Sequence, residues 1–112
     1  MLKRFVTWLI KPIISYFDKP YSLEFVEDPV DEPIQKVLYI IGTKDDPWQA
    51  EILCPCGCKE KIVLPLNKET SPRWALKISH SDIPSLRPSV WRSKGCKSHF
   101  FLTDGYIQWC KY

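Results

Sequence analysis

Apolar and polar residues alternate along most of this chain with the period of two that β-strands favour. From residue 21 onward, short runs rich in β-branched and aromatic residues are separated by proline, glycine and charged positions. The runs that predict strands are 21–26, 36–41, 48–53, 61–66, 73–79, 99–103 and 106–110. The pattern predicts a mostly β domain, built as a small antiparallel β-sandwich or as a barrel-like fold.

Two pairs of runs have the form of hairpins. Asp104-Gly105 separates the last two runs, and type I′ turns prefer this dipeptide because both central residues need a positive φ. Residues 48–53 and 61–66 flank a cysteine-rich segment, which is therefore predicted at the tip of a hairpin. Residues 81–91, between the fifth and sixth runs, are predicted to form a loop.

The N-terminal segment has a helical pattern instead. Its apolar residues recur at helical intervals, at Leu2, Phe5, Val6, Leu9, Ile13 and Phe17. We predict a short amphipathic helix in an arm at residues 1–19, followed by a β-domain at residues 20–112. The apolar run is much shorter than the roughly 20 residues that span a bilayer. The basic arm is therefore expected to pack on the domain, to bind a partner or to lie on a membrane surface.

Length, charge and cysteine content restrict the possible classes of protein. The 112 residues fit one domain, and the net charge of +3 gives little general attraction to nucleic acid. The five cysteines are an odd number, and three of them lie too close together to pair easily with each other. Because no convincing secretory signal is present, we expect a cytoplasmic location, where such cysteines favour a metal site over disulfides.

Two short segments contain the ligand types of a metal site. The segment CPCGC at residues 54–58 has three thiols, and CKSH at residues 96–99 adds a thiol and an imidazole. Thiolates and imidazoles hold zinc in closed tetrahedral sites, and they also hold iron–sulfur clusters. The segments therefore predict a pair of zinc-ribbon-like or Rieske-like loops that share one ion. The predicted ligands are Cys54, Cys56, Cys96 and His99, with Cys58 as the alternative in the first loop.

Zinc is the expected metal, and a [2Fe–2S] cluster is the alternative. A Rieske cluster needs two histidines on one iron, and the first loop of this chain offers only cysteines. A closed four-ligand site leaves no position for water, which argues against zinc-dependent hydrolysis. The chain also has no glycine-rich phosphate loop and no nucleophile elbow. No catalytic residue is therefore predicted, and the balance favours a protein that is not an enzyme.

A group of basic and aromatic residues surrounds the second metal segment. Its members are Arg73, Arg87, Trp91, Arg92, Lys94 and Lys97. Cations mixed with aromatic rings are typical of surfaces that bind single-stranded nucleic acid, and exposed aromatic residues also suit a protein partner. The tryptophans fit a small β-core equally well.

Three short segments of the chain resemble those of a known family of small bacterial and phage domains. Members of that family have a CPCGCG-like run, a PS-[IV]-W-like segment and a C-x-SHF segment, in this order. Here the matching residues are CPCGC at 54–58, PSVW at 88–91 and CKSHF at 96–100, with Lys59 where the family tends to have glycine. The resemblance implies a metal-binding β-domain. Some relatives lie beside genes for bacterial ubiquitin-like conjugation, which implies an accessory role there.

These observations predict a zinc-stabilised β-domain that serves as a protein-interaction or accessory module. The resemblance places it in a bacterial ubiquitin-like conjugation system or a phage-related system. Electron transfer through a [2Fe–2S] cluster and binding of single-stranded nucleic acid are the alternatives.

Overall fold

The structure is a computed structural model that describes residues 19–92 and 95–110. Within these ranges the chain forms eight strands and no helix. The strands are β1 (Ser22–Val26), β2 (Val37–Gly42), β3 (Pro47–Leu53), β4 (Lys61–Pro65), β5 (Ala75–Ile78), β6 (Pro84–Trp91), β7 (His99–Thr103) and β8 (Tyr106–Trp109). The predicted helical arm lies outside the described residues, apart from Lys19. In the described part of the chain no helix is long and apolar enough to cross a membrane.

The strands form two sheets, which confirms the prediction of a mostly β domain. One sheet has the order β1-β2-β3-β4 and the other has the order β5-β6-β7-β8. All neighbouring strands are antiparallel except β1 and β2, which are parallel. The prediction of a wholly antiparallel fold is therefore wrong at this pair. The long acidic connection at residues 27–36 carries the chain back to the start of β1, and a parallel pair needs such a crossover.

The two sheets share one apolar core. β2 contributes Leu38 and Ile40, and β7 contributes Phe100 and Leu102, all with 0% exposure. On β7 these buried residues alternate with half-buried ones, as expected for a strand with one inward face. His99 belongs to the half-buried set, so it lies on the outer face of the second sheet.

A buried carboxylate attaches the acidic connection at residues 27–36 to the first sheet. Glu51 is 1% exposed, and its Oε1 accepts the Val30 N–H at 2.9 Å and lies 3.3 Å from Lys61 Nζ. Its Oε2 accepts a hydrogen bond from Gln49 Nε2 at 2.8 Å. Lys61 Nζ also donates to the Val30 carbonyl at 2.9 Å. The ion pair between Glu51 and Lys61 therefore holds the middle of this connection in place.

The prediction of a loop at residues 81–91 is wrong. Most of this segment is β6, which pairs with β5 on one side and with β7 on the other. A proline usually argues against a central strand because it cannot donate to the hydrogen-bond ladder. β6 accommodates Pro88 because its ladder with β7 is interrupted at that point.

The interruption is a β-bulge. Four steps along β6, from Leu86 to Val90, match only two steps along β7, from Leu102 to Phe100. Bulges redirect side chains and are frequent beside active sites. Three residues of β6 therefore stand opposite Phe101 alone, and these residues, called the β6 bulge below, are Arg87, Pro88 and Ser89.

The C-terminal hairpin confirms the predicted turn. Asp104 and Gly105 join β7 to β8 with φ values of 49° and 83°, both positive as a type I′ turn requires. The Gly105 carbonyl also accepts the Tyr21 N–H at 2.7 Å, at the entrance to β1. A Cβ atom on Gly105 would lie 2.6 Å from Pro20 Cβ. Glycine is therefore required here both by the backbone conformation and by the close approach of Pro20, which shortly precedes β1.

Candidate metal centre and active site

The cysteine-rich loop lies at the tip of the β3–β4 hairpin, where the sequence predicts it. The Cys54 N–H donates to the Glu60 carbonyl at 2.8 Å and closes the loop at its base. The Gly57 N–H donates to the Cys54 carbonyl at 3.3 Å, and Gly57 has a φ of 93°. This left-handed conformation is easily adopted by glycine, and it lets the loop curl so that its thiols converge.

Four cysteine sulfurs converge at this loop. The Sγ atoms of Cys54, Cys56, Cys58 and Cys96 all lie within 4.8 Å of one another, with 3.3 Å from Cys54 to Cys56 and 3.5 Å from Cys54 to Cys96. Zinc–sulfur bonds of about 2.3 Å place the sulfurs of a tetrahedral site about 3.8 Å apart. These four residues, called the cysteine cluster below, could therefore hold a metal ion. Cys110, the fifth cysteine, is half-buried and lies outside this group.

The thiols of Cys54 and Cys96 differ in their tendency to ionise. Burial raises the pKa of the Cys54 thiol to about 11, because a thiolate there loses its solvation. Ser98 Oγ lies 3.0 Å from Cys96 Sγ, and hydrogen bonding by this hydroxyl lowers the pKa of Cys96 to about 6. Negative charge therefore collects at Cys96. Binding of a metal ion requires deprotonation of the buried Cys54 as well.

Arg92 adds a positive charge beside the cysteine cluster. Its Nη1 donates to Cys58 Sγ at 3.3 Å and to Cys96 Sγ at 3.5 Å. Such donors offset the negative charge of thiolates around a metal. Arg92 directly follows β6, and its backbone N–H donates to the Ser98 carbonyl at 2.8 Å. The end of β6 and the start of β7 are therefore both attached to the cysteine cluster.

His99, which the sequence assigns to the metal, has a different neighbour. Its Nε2 lies 2.8 Å from the Oγ of Ser89, which belongs to the β6 bulge. Among the described residues, the group of possible metal ligands contains Cys58 and not His99. A serine hydroxyl hydrogen-bonded to an imidazole nitrogen is the arrangement of nucleophile and base in serine hydrolases. The structure thus brings together a candidate catalytic pair that the sequence does not predict.

Two tryptophans support this pair. Trp91 stacks on His99 with ring centroids 4.7 Å apart and an interplanar angle of 11°, which restrains the plane of the imidazole. The Trp74 indole N–H donates to the Ser89 carbonyl at 3.3 Å and holds the backbone of the bulge. Ser89 and His99 are both half-buried, so neither is closed off from solvent. The pair is thus ordered by its neighbours and open to a substrate.

Three of the six residues predicted to bind a partner or nucleic acid make contacts within the domain itself. Arg92 contacts the cysteine cluster and Trp91 stacks on the imidazole. Arg87 donates to two backbone carbonyls of its own sheet. The remaining members are exposed or lie outside the described residues, namely Arg73, Lys97 and Lys94.

Ser89 is the candidate site residue that the sequence does not identify. A nucleophile elbow is the motif of a different fold, in which the serine lies on a turn between a strand and a helix. Here the serine and the histidine lie on two neighbouring strands and meet because β6 bulges at Ser89. No short sequence motif predicts such a bulge. The family resemblance could have pointed to this pair, because the PSVW and CKSHF segments that carry it contain Ser89 and His99.

The family comparison fits the geometry of this pair. A family model described as "Bacterial ubiquitination-like system serine protease (BubE)" matches residues 25–110, which include every residue of the cysteine cluster and of the serine–histidine pair. The comparisons with curated proteins and with solved structures find no match.

Proposed function

Because this chain belongs to the BubE family of a bacterial ubiquitination-like system, we propose that it is a serine protease. Ser89 is the nucleophile and His99 is the general base. The observation that carries this proposal is the distance of 2.8 Å between Ser89 Oγ and His99 Nε2. The family description supports it, and it also gives the predicted protein partner a specific role. The partner is a protein substrate of the ubiquitin-like conjugation system.

The proposed reaction follows from the positions of the two side chains. With its proton on Nδ1, His99 accepts the Ser89 hydroxyl proton at Nε2 as the serine oxygen attacks the carbonyl carbon of a peptide bond. The tetrahedral intermediate then expels the amine, which takes the proton from the imidazolium and leaves an acyl group on Ser89. His99 next removes a proton from water, which attacks the acyl carbon and releases the carboxylic acid. Ser89 recovers its proton from the imidazolium.

Trp91 is a positioning residue in this scheme. Because it stacks on the imidazole of His99, it holds the ring in the plane in which Nε2 meets Ser89. Holding a base within hydrogen-bond reach of a nucleophile reduces the entropy that must be lost in the transition state.

We propose that the cysteine cluster holds a structural zinc ion through Cys54, Cys56, Cys58 and Cys96. The donor set supports this assignment, because four thiolates at this spacing suit a closed tetrahedral site. When bound, zinc would crosslink the β3–β4 hairpin to the segment that precedes His99. In this assignment Cys58 takes the place that the sequence gives to His99. A [2Fe–2S] cluster uses the same four-cysteine donor set, and its visible absorption would distinguish it from colourless zinc.

The proposed protease activity can be tested without a known substrate. A fluorophosphonate probe reacts with activated serine hydroxyls, and peptide mapping by mass spectrometry identifies the labelled residue. We expect labelling at Ser89 in the wild-type chain and none in the Ser89→Ala variant. His99→Ala should slow labelling by at least about 100-fold, because general base catalysis contributes roughly that much.

The control is Ser81→Ala, since Ser81 is an exposed serine that lies outside the pair. This variant should be labelled at the wild-type rate. Labelling of several serines at similar rates, or equal labelling in His99→Ala, would contradict the proposed role of the pair.

A further inference from the structure

Arg87 is held rigidly on the outer face of the second sheet. Its Nη1 donates to the Leu86 carbonyl at 2.7 Å and to the Leu102 carbonyl at 3.1 Å, and its Nη2 donates to Thr103 Oγ1 at 2.8 Å. The guanidinium also lies over the ring of Phe101, with Cζ 4.9 Å from the ring centroid. Three hydrogen bonds and an aromatic ring thus fix the orientation of a side chain that is usually flexible.

The charge of this arginine is not neutralised by these contacts. Its three acceptors are two backbone carbonyls and a hydroxyl, all of them uncharged. Within residues 19–92 and 95–110, no carboxylate forms an ion pair with Arg87. The residue is exposed, so an anion in solution can reach it. A cation that is already ordered binds an anion with little further loss of conformational entropy.

Arg87 lies close to the proposed nucleophile. It belongs to the β6 bulge together with Ser89, and only Pro88 separates them. The Phe101 ring beneath the guanidinium is on the same face of β7 as His99. Ser89 bonds to His99 and Arg87 lies over Phe101, and these two β7 residues are two positions apart, about 7 Å, which is also the length of two residues of an extended peptide. A peptide that crosses Ser89 in extended form thus brings a residue about two positions from its scissile bond to Arg87.

We propose that Arg87 determines specificity by binding a carboxylate of the substrate about two residues from the scissile bond. The inference rests on the proposed protease function and adds the chemical class of substrate that the site prefers. The carboxylate comes either from an aspartate or glutamate side chain or from the C-terminus of the substrate. Both sources offer two oxygens to the guanidinium, and a charge-assisted contact of this kind is worth about tenfold or more in affinity.

The test uses internally quenched eight-residue peptides in matched sets. In one set aspartate, asparagine or lysine replaces the residue at each position in turn. In the second set the same peptides end in a free carboxylate or in an amide. We expect an acidic residue at one position, or a free carboxylate at the matching distance, to raise kcat/KM about tenfold over the neutral peptide. The set that shows this preference identifies the source of the carboxylate.

The variant that tests the residue is Arg87→Gln, which keeps a hydrogen-bond donor and removes the charge. We expect it to abolish the preference for acid through a higher KM, while kcat on neutral peptides and the labelling rate of Ser89 stay near wild type. The matched control is Arg73→Gln, which removes the same charge from an exposed position and should keep the preference. A purely structural Arg87 would instead lower kcat and labelling for all peptides alike.

Failure of the two proposals can be told apart. If the probe does not label Ser89 in the wild-type chain, the proposed protease function fails, and the carboxylate subsite fails with it. If Ser89 is labelled but acidic and neutral peptides are cleaved equally, only the subsite is wrong. Retention of the preference in Arg87→Gln would also overturn the assignment to this residue.

Discussion

The hydroxyl of Ser98 lies 3.0 Å from the sulfur of Cys96, and the next residue after Ser98 is His99. Ser98 is 7% exposed and also lies 3.6 Å from the sulfur of Cys54. The backbone on which the proposed catalytic base depends is thus packed against the cysteine cluster. The cluster and the serine–histidine pair are separate sites, but one short segment belongs to both.

Removal of the proposed zinc ion should therefore reduce the reactivity of Ser89. We expect a zinc chelator to lower the rate of fluorophosphonate labelling at least tenfold, because the segment at residues 96–99 loses its anchor. Circular dichroism should show a lower melting temperature at the same time. Adding back zinc should restore both measurements. An unchanged labelling rate in protein shown to be metal-free by elemental analysis would refute this coupling.

Replacement of single ligands should distinguish the four-cysteine site from the site of three cysteines and His99 that the sequence favours. Cys96→Ser and Cys58→Ser should lose bound metal, whereas Cys110→Ser should keep it, since Cys110 lies outside the cysteine cluster. His99→Ala should also keep its metal if the fourth ligand is Cys58. Metal content per chain, measured on purified protein, decides the matter. Loss of metal in His99→Ala together with retention in Cys58→Ser would restore the ligand set predicted from the sequence.

Trp91→Ala should slow the labelling of Ser89 with little effect on stability. The side chain is 62% exposed, so its removal costs little buried apolar area. Its stacking on His99 is worth about 0.5–1.5 kcal/mol, which corresponds to a reaction about two- to thirteenfold slower if the stack orients the imidazole. Trp48→Ala is the control, because this tryptophan is 40% exposed and lies on the other sheet. Equal labelling rates in the two variants would exclude a positioning role for Trp91.

Glu51→Gln should destabilise the domain. The substitution keeps the shape of the side chain but removes the negative charge that faces Lys61 Nζ at 3.3 Å. We expect a loss of about 2 kcal/mol in the free energy of unfolding, less than for a fully buried pair because Lys61 is partly exposed. Urea denaturation measures the change, and Glu24→Gln, at an exposed position, should stay within about 0.5 kcal/mol of wild type. A similar loss in both variants would show that the ion pair between Glu51 and Lys61 contributes no more to stability than an exposed carboxylate does.

Local patterns predicted the strands well where a turn or an alternation specifies them. Asp104-Gly105 identified the last hairpin because its conformation depends on two residues alone. Pro88 concealed β6 because the bulge that tolerates a proline arises only from pairing with β7. The parallel pairing of β1 was missed for a similar reason, since alternation does not reveal the direction of a neighbouring strand.

In the candidate site too, the features that depend on neighbouring residues were predictable, and those that depend on strand pairing were not. The thiols that converge were recognisable from their residue type, because few other roles explain three cysteines within five positions. The partner of His99 was not recognisable, since Ser89 reaches it only through the register of two strands. The sequence leaves Cys58 as an alternative ligand because it does not specify the loop conformation that the left-handed Gly57 provides.

The hydrogen bond from Tyr21 to the Gly105 carbonyl has a consequence for biosynthesis. It joins the first strand of one sheet to the last turn of the other, and the sulfur contact between Cys54 and Cys96 spans 42 positions. Contacts between such distant residues slow folding, because a long loop must close before they form. A nascent chain on the ribosome cannot form the sulfur contact until Cys96 has emerged, and it cannot form the hydrogen bond from Tyr21 until Gly105 has emerged. The two sheets are therefore expected to join fully only after the turn between β7 and β8 has left the ribosome.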